Sequence, residues 1–137
     1  MNYVMLETGQ PMHAFDADKL KSIGVRRARA LEKIETLDGQ SFELSNEDLV
    51  IADGECALAI AGIKGGKGAE VTKETRRIIV ESANFDGVAI YKTSKKLKLS
   101  TDASMRFAHN LSPNLTALGM ERASQLLVEI CGAKVGE

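Results

Sequence analysis

Two Asp-Gly pairs, Asp38-Gly39 and Asp53-Gly54, each interrupt a pair of short β-type runs. A tight hairpin turn needs positive φ, which glycine adopts at little cost, so each pair predicts an antiparallel hairpin. The first joins residues 34–37 to 41–44, and the second joins 49–52 to 57–61. Residues 1–7 and 23–30 also read as strands, and the apolar run 77–83 reads as a mostly buried one.

The second half changes period. Residues 86–97 begin with an acid and end with lysines, which suits a helix dipole. In the last helix Ser112 serves as cap, Pro113 takes the first helical position and Gly132 follows the end. Leu115, Leu118, Ala123, Leu126, Leu127 and Ile130 fall on one face and are expected to pack in the core. Strands first and helices later predict an α+β fold, in one domain covering residues 1–137.

A content of 44% hydrophobic and 27% charged residues excludes a disordered, collagenous or coiled-coil chain. The longest apolar run, residues 57–61, falls far short of the ~20 needed to span a bilayer. With no basic cluster or apolar stretch at the start, no signal peptide is expected, and the cytoplasm is the expected location. Cys56 and Cys131, far apart and remote from both histidines, read as small buried hydrophobes rather than zinc ligands, so no metal site is expected.

The net charge of −1 excludes a globally basic nucleic-acid binder, yet the charge is uneven. Lys92, Lys95, Lys96, Lys98 and Arg106 outnumber Asp86 and Asp102 within residues 86–111, while residues 43–55 carry five acids and no base. The basic stretch is either a solvated face or, beside a glycine loop, a cradle for a phosphate backbone read without sequence. The glycine cluster at 62–68 is not a phosphate-binding P-loop, because Ala61 and Gly68 stand where that motif needs Gly and Ser or Thr. It predicts a loop whose backbone comes close to another segment or a ligand.

Three polar features interrupt the apolar pattern. His13 follows the loop signals Gly9 and Pro11, as a structural or a functional imidazole. Glu81 sits inside the apolar strand run, where a carboxylate is costly unless it is paired, faces a cavity or lies at an edge. Thr101-Asp102-Ala103-Ser104 reads as a turn or helix cap.

These stretches occur together in a recognisable order. Residues 3–7 and 9–16, Leu49-Val50-Ile51-Ala52-Asp53, Leu58-Ala59-Ile60-Ala61-Gly62-Ile63, Glu81-Ser82-Ala83 with Phe85, and Thr101-Asp102-Ala103-Ser104 with Arg106-Phe107 closely resemble the bacterial phenylalanyl-tRNA synthetase β-subunit. The likeness is to its third and fourth modules (B3/B4), the editing domain, and it covers essentially the whole chain. Departures are Lys64 in place of a common methionine, Ala108-His109-Asn110 after Phe107, and Asp86-Gly87 for Asn-Pro.

The resemblance implies a three-layer β/β/α fold with a sandwich-like core, and a fragment of a longer subunit. It also implies hydrolysis of tyrosine wrongly attached to phenylalanine tRNA, with a non-catalytic RNA-binding or structural module as the alternative. The pocket residues that the resemblance implies are His13, Gly66, Glu81, Thr101 and Ala103, which should line one cavity, and Gly65 joins them as a candidate backbone donor. By the same resemblance, Glu81 is expected to read the phenolic hydroxyl. Gly66 and Ala103 leave space for the aminoacyl group. The Gly65 and Gly66 N–H groups are candidate oxyanion donors, and His13 or Thr101 places the water or the terminal ribose. No side chain is assigned as general base. The implied partners are the tRNA 3′ end, the α-subunit and the rest of the β-subunit; ATP and Mg²⁺ belong to the parent synthetase, with no cofactor for this domain. An unpaired, buried Glu81 charge facing phenylalanine would discriminate by about 10²–10³.

Overall fold

A computed structural model describes residues Met1–Gly136. The elements follow in the order α1 (Asn2–Thr8), β1 (Met12–Asp16), β2 (Gly24–Arg27), β3 (Lys33–Glu35), β4 (Ser41–Glu43), β5 (Leu49–Asp53), β6 (Cys56–Ile60), β7 (Lys64–Gly65), β8 (Ile78–Ser82), α2 (Gly87–Leu97), α3 (Asp102–Ala108) and α4 (Leu115–Cys131). The fold is α+β, as the order of patterns predicts.

Both hairpins form. Gly39 and Gly54 take φ of 80° and 60°, and the Gly39 N–H donates to the Thr36 carbonyl at 2.8 Å. β3 pairs with β4, while β5 and β6 are the centre of a four-stranded antiparallel sheet in the order β2-β5-β6-β7. Val50, Ile51, Ala52, Leu58, Ala59 and Ile60 are all buried there, because these central strands are covered on both faces. β1 and β8 form a separate two-stranded sheet whose register sets His13 opposite Glu81.

α2 is anchored through Asp48. The Asp86 carboxylate caps the helix by accepting from the Ala89 N–H at 2.7 Å, and Lys95 and Lys96 lie in its last turn. Asp48 is buried; its carboxylate accepts from the Lys96 ammonium, from the Ser45 N–H at 2.8 Å and from the Thr93 hydroxyl at 2.9 Å. Burial opposes its charge, but these donors outweigh the penalty and hold its carboxyl below the usual value. The acidic segment and the basic helix thus neutralise one another at this point. Asp48→Asn should destabilise the chain by about 2 kcal/mol in urea unfolding, since the ion pair and at least one hydrogen bond are lost.

Several expectations are corrected. Residues 1–7 do not form a strand. They are helical, closed by Gly9 in the left-handed region and by Thr8 Oγ1 donating to the Val4 carbonyl, because burying Val4 and Met5 against α4 outweighs β propensity. β8 is only partly buried, since its sheet has two strands and Ile78 is exposed at one end. Cys56 and Cys131 are both exposed, at the start of β6 and in the last turn of α4.

α4 begins two residues later than Pro113, after a turn in which the Leu115 N–H donates to the Ser112 carbonyl; its N-cap, Asn114, makes no side-chain cap bond. The expected apolar face of α4 is not core either. Only Ala123 of its members is buried, while Leu118 and Ile130 are 51% and 76% exposed. The helix packs through a small-residue stripe instead. A Cβ at Gly119 would lie 2.8 Å from Gln10 Cγ, so α4 approaches the strand β1 entry as only glycine permits. Leu126, Leu127 and Ile130 then border an open apolar groove of about 410 Å³ against α1.

Candidate functional site

Four of the six singled-out residues converge. His13, Gly65, Glu81 and Ala103 line one pocket of about 70 Å³, floored by Ile51, Ala59 and Phe107. β1 and β8 bring the first and third together: directly opposed residues have Cβ atoms ~5 Å apart and point to the same face. Gly65 ends β7 at the edge of the four-stranded sheet, so the pocket lies between the two sheets and α3.

The glycine prediction holds here in a specific sense. A Cβ at Gly65 would stand 2.5 Å from His13 Cε1, so the imidazole rests on bare backbone. His13 is also held by an edge-on contact with Phe15, ring centroids 4.6 Å apart. Gly62 has φ of 68°, and its missing side chain admits Phe85, Ile90 and Phe107.

Gly66 and Thr101 lie behind the wall. A Cβ at Gly66 would meet the Leu58 carbonyl oxygen at 2.7 Å, and its N–H already donates to that oxygen at 2.7 Å. Gly66 therefore continues the ladder and has no donor left for an oxyanion, contrary to expectation. Thr101 caps α3: its hydroxyl accepts from the Ser104 N–H at 3.1 Å and donates to the Ile63 carbonyl at 2.9 Å. It ties the glycine segment to the helix that carries Ala103. Thr101 is a positioning residue rather than part of the lining.

Burial dominates the electrostatics. Glu81 is partly buried among apolar side chains, and desolvation pushes its carboxyl up to about 7. The same cause lowers the His13 imidazole, which is therefore neutral at pH 7. Lys64, at the pocket wall, is neutralised by Asp38 at 2.6 Å, and that contact with the Thr36 hydroxyl holds the Asp38 carboxyl at about 2. Sequence reasoning did not select Lys64 as a lining residue; its place next to Gly65 was the available signal. Among the described residues no cluster of three His, Cys, Asp or Glu side chains is placed to hold a metal ion, and no helix is long and apolar enough to cross a membrane.

Glu81 also borders a second, apolar cleft of about 320 Å³ between β2 and β8, with Ile23, Val25, Ile79 and Met120. The two spaces share Glu81 and Ile51.

A pH dependence follows from these shifts. The folded chain holds the Glu81 proton more tightly than the unfolded chain, so this stabilisation is complete below about pH 4.5 and is lost as pH rises through 7. His13 acts oppositely, costing stability as pH falls below 6.5. Glu81→Gln should flatten the fall between pH 5 and 8 by about 1–2 kcal/mol, after discounting for partial exposure. Urea unfolding at pH 5, 6.5 and 8 reads it; an unchanged pH profile means that Glu81 is solvated.

The sequence matches the family model for the B3/4 domain over residues 1–132. It is 48% identical to the phenylalanine–tRNA ligase beta subunit of Dehalococcoides mccartyi over 135 residues, covering 97% of this chain. The beta subunit of Carboxydothermus hydrogenoformans is 48% identical over 98% of the chain, and that of Geobacter metallireducens 46% over 98%. The chain spans 17% of the length of each of these relatives. A match over nearly every residue of this chain, at that identity, establishes that it belongs to the B3/4 domain family found in the beta subunit of phenylalanine–tRNA ligase.

Proposed function

We propose that this chain hydrolyses tyrosine esterified to the 3′ end of phenylalanine tRNA, with Glu81 as the reader of the phenolic hydroxyl. The observation that supports this most is geometric: the Glu81 carboxyl, which burial pushes up to about 7, lines a largely apolar pocket opposite His13 and beside Gly65 and Ala103. An aromatic ring is larger than the 70 Å³ pocket, so on this reading the pocket must open on binding, and the cleft that Glu81 and Ile51 also border is the direction offered.

The raised Glu81 pKa changes the expected source of discrimination. With phenylalanine bound, the carboxylate does not stay charged; near pH 7 it takes a proton at a cost of about 0.4 kcal/mol. The penalty for phenylalanine is therefore small. Preference comes from the charge-assisted hydrogen bond that tyrosine donates, roughly 1.5–3 kcal/mol, or about 10–10² in rate. It should grow as pH rises from 6 to 8 and the carboxylate ionises.

The chemistry is modest. Water attacks the ester carbonyl carbon, the bond to the ribose oxygen breaks, and tyrosine and a free ribose hydroxyl are released with a proton. Neutral His13 orients the water or the ribose, and the Gly65 N–H is the donor assigned to the developing oxyanion on this reading. No general base is invoked, and the proposed step uses neither ATP nor Mg²⁺. The partners proposed are the mischarged tRNA, the remainder of a beta subunit and its alpha subunit.

Release of radiolabelled tyrosine from tyrosyl-tRNA(Phe) by the purified chain tests this directly. Faster release than in buffer, with phenylalanyl-tRNA(Phe) spared, is expected. Tight tRNA binding without release would favour a non-catalytic RNA-binding module.

A further inference from the structure

We propose that the groove between α2 and α3 receives the sugar–phosphate backbone of single-stranded RNA beside the Glu81 pocket. The groove, about 540 Å³, is lined by Tyr91, Lys95, Lys98, Ser100, Met105 and His109 among others, and no carboxylate among the described residues lines it. That sets it apart from the larger cleft on the other flank of α2, where Arg27, Lys92 and Lys96 face Glu47, Asp48 and Asp86. Lys96, Lys64, Lys67 and Arg77 are each matched to an acid, whereas Lys95 and Lys98 form no ion pair among the described residues.

The groove also offers a stacking surface. Tyr91 is 54% exposed with the Lys95 ammonium over its ring, 5.6 Å from the centroid, so a base stacking on that face would turn the ammonium toward the adjoining phosphate. Bases stack on such faces without regard to sequence while cations track the phosphates. His109 uses Nδ1 on the Met105 carbonyl, which leaves Nε2 directed away from that bond. Lys98 is fixed by the left-handed α2 C-cap, φ 53°.

Position links the groove to the pocket. α3 presents Ala103 and Phe107 to the pocket and Ser104, Met105 and Ala108 to the groove. The two spaces are thus about one helix diameter, ~10 Å, apart. The inference rests on the reading of an RNA-borne ester in the pocket. Charge favours RNA over an apolar peptide.

The test measures anisotropy of fluorescein-labelled tRNA(Phe) with the full chain at several salt concentrations. Lys95→Gln with Lys98→Asn, the latter because asparagine tolerates the left-handed backbone, should weaken binding on the order of tenfold and make the log–log salt slope shallower by about 1.4. Lys92→Gln, on the same helix but facing the mixed cleft, should do neither. An unchanged slope in the double variant overturns the proposal, as does an equal loss in Lys92→Gln. Displacement of tRNA by equimolar polyglutamate overturns it in favour of an acidic protein.

A phosphate-free ester, tyrosyl-adenosine, separates this inference from the hydrolysis reading. The double variant should hydrolyse it at the wild-type rate, while its KM for tyrosyl-tRNA rises and kcat does not change. If wild type hydrolyses neither ester yet binds tRNA through Lys95 and Lys98, the hydrolysis reading fails and the groove stands. If wild type hydrolyses both and the double variant binds tRNA normally, the groove fails alone.

Discussion

Glu81→Ala is expected to lower the tyrosine-to-phenylalanine ratio of deacylation by about 10–10²-fold at pH 8, where the wild-type carboxylate is mostly ionised. Most of that change should be lost tyrosine hydrolysis. Phenylalanine hydrolysis should rise only modestly, because wild-type Glu81 escapes its penalty by taking a proton. At pH 6 the variant and the wild type should differ far less. Deacylation rates for both aminoacyl-tRNAs at the two pH values give the answer. A ratio unchanged at pH 8 would remove Glu81 from the role of hydroxyl reader. Stability of the variant should be equal or higher, since a desolvated acid gives way to an apolar group.

Ala103→Trp is expected to abolish tyrosine release, a loss beyond 10²-fold. Ala103 is partly exposed on α3 and faces a pocket of about 70 Å³, which an indole more than fills. The helix itself should survive: its Thr101–Ser104 capping box and the buried Phe107 lie on other positions. Circular dichroism and the unfolding midpoint check the fold. A cooperative, wild-type-like transition with full tyrosine release would show that the ester does not enter beside Ala103.

The two hairpins were legible because their turns are local, whereas β1 and β7 were not read as strands. Asp38-Gly39 and Asp53-Gly54 carry their conformations within a few residues, and both hairpins close as read. The helix of residues 1–7 was not, because Tyr-Val-Met-Leu suits a strand equally well until α4 is there to receive Val4 and Met5. The face of α4 failed for a related reason. Periodicity located its large apolar residues, but contact depends on which stripe can approach closely, and Gly119 and Ala123 permit the nearer approach. At the site, Glu81 stood out as a charge in an apolar run. The roles of Gly66 and Thr101 did not, since sequence adjacency to Gly65 and Ala103 does not say which side of a wall a residue faces. Gly66 extends a strand and Thr101 holds a helix end, one step removed from the cavity.

The pairing of His13 with Glu81 bears on how the chain reaches its native state. The β3–β4 and β5–β6 hairpins join near neighbours and are expected to form before β1 meets β8, which follows the whole four-stranded sheet in sequence. Closing so long a loop costs entropy before any contact repays it, which places the β1–β8 ladder late in folding. A partly folded chain can therefore hold most of its core and still lack the pocket. Hydrolysis would then report complete folding more stringently than any spectroscopic probe of the central sheet.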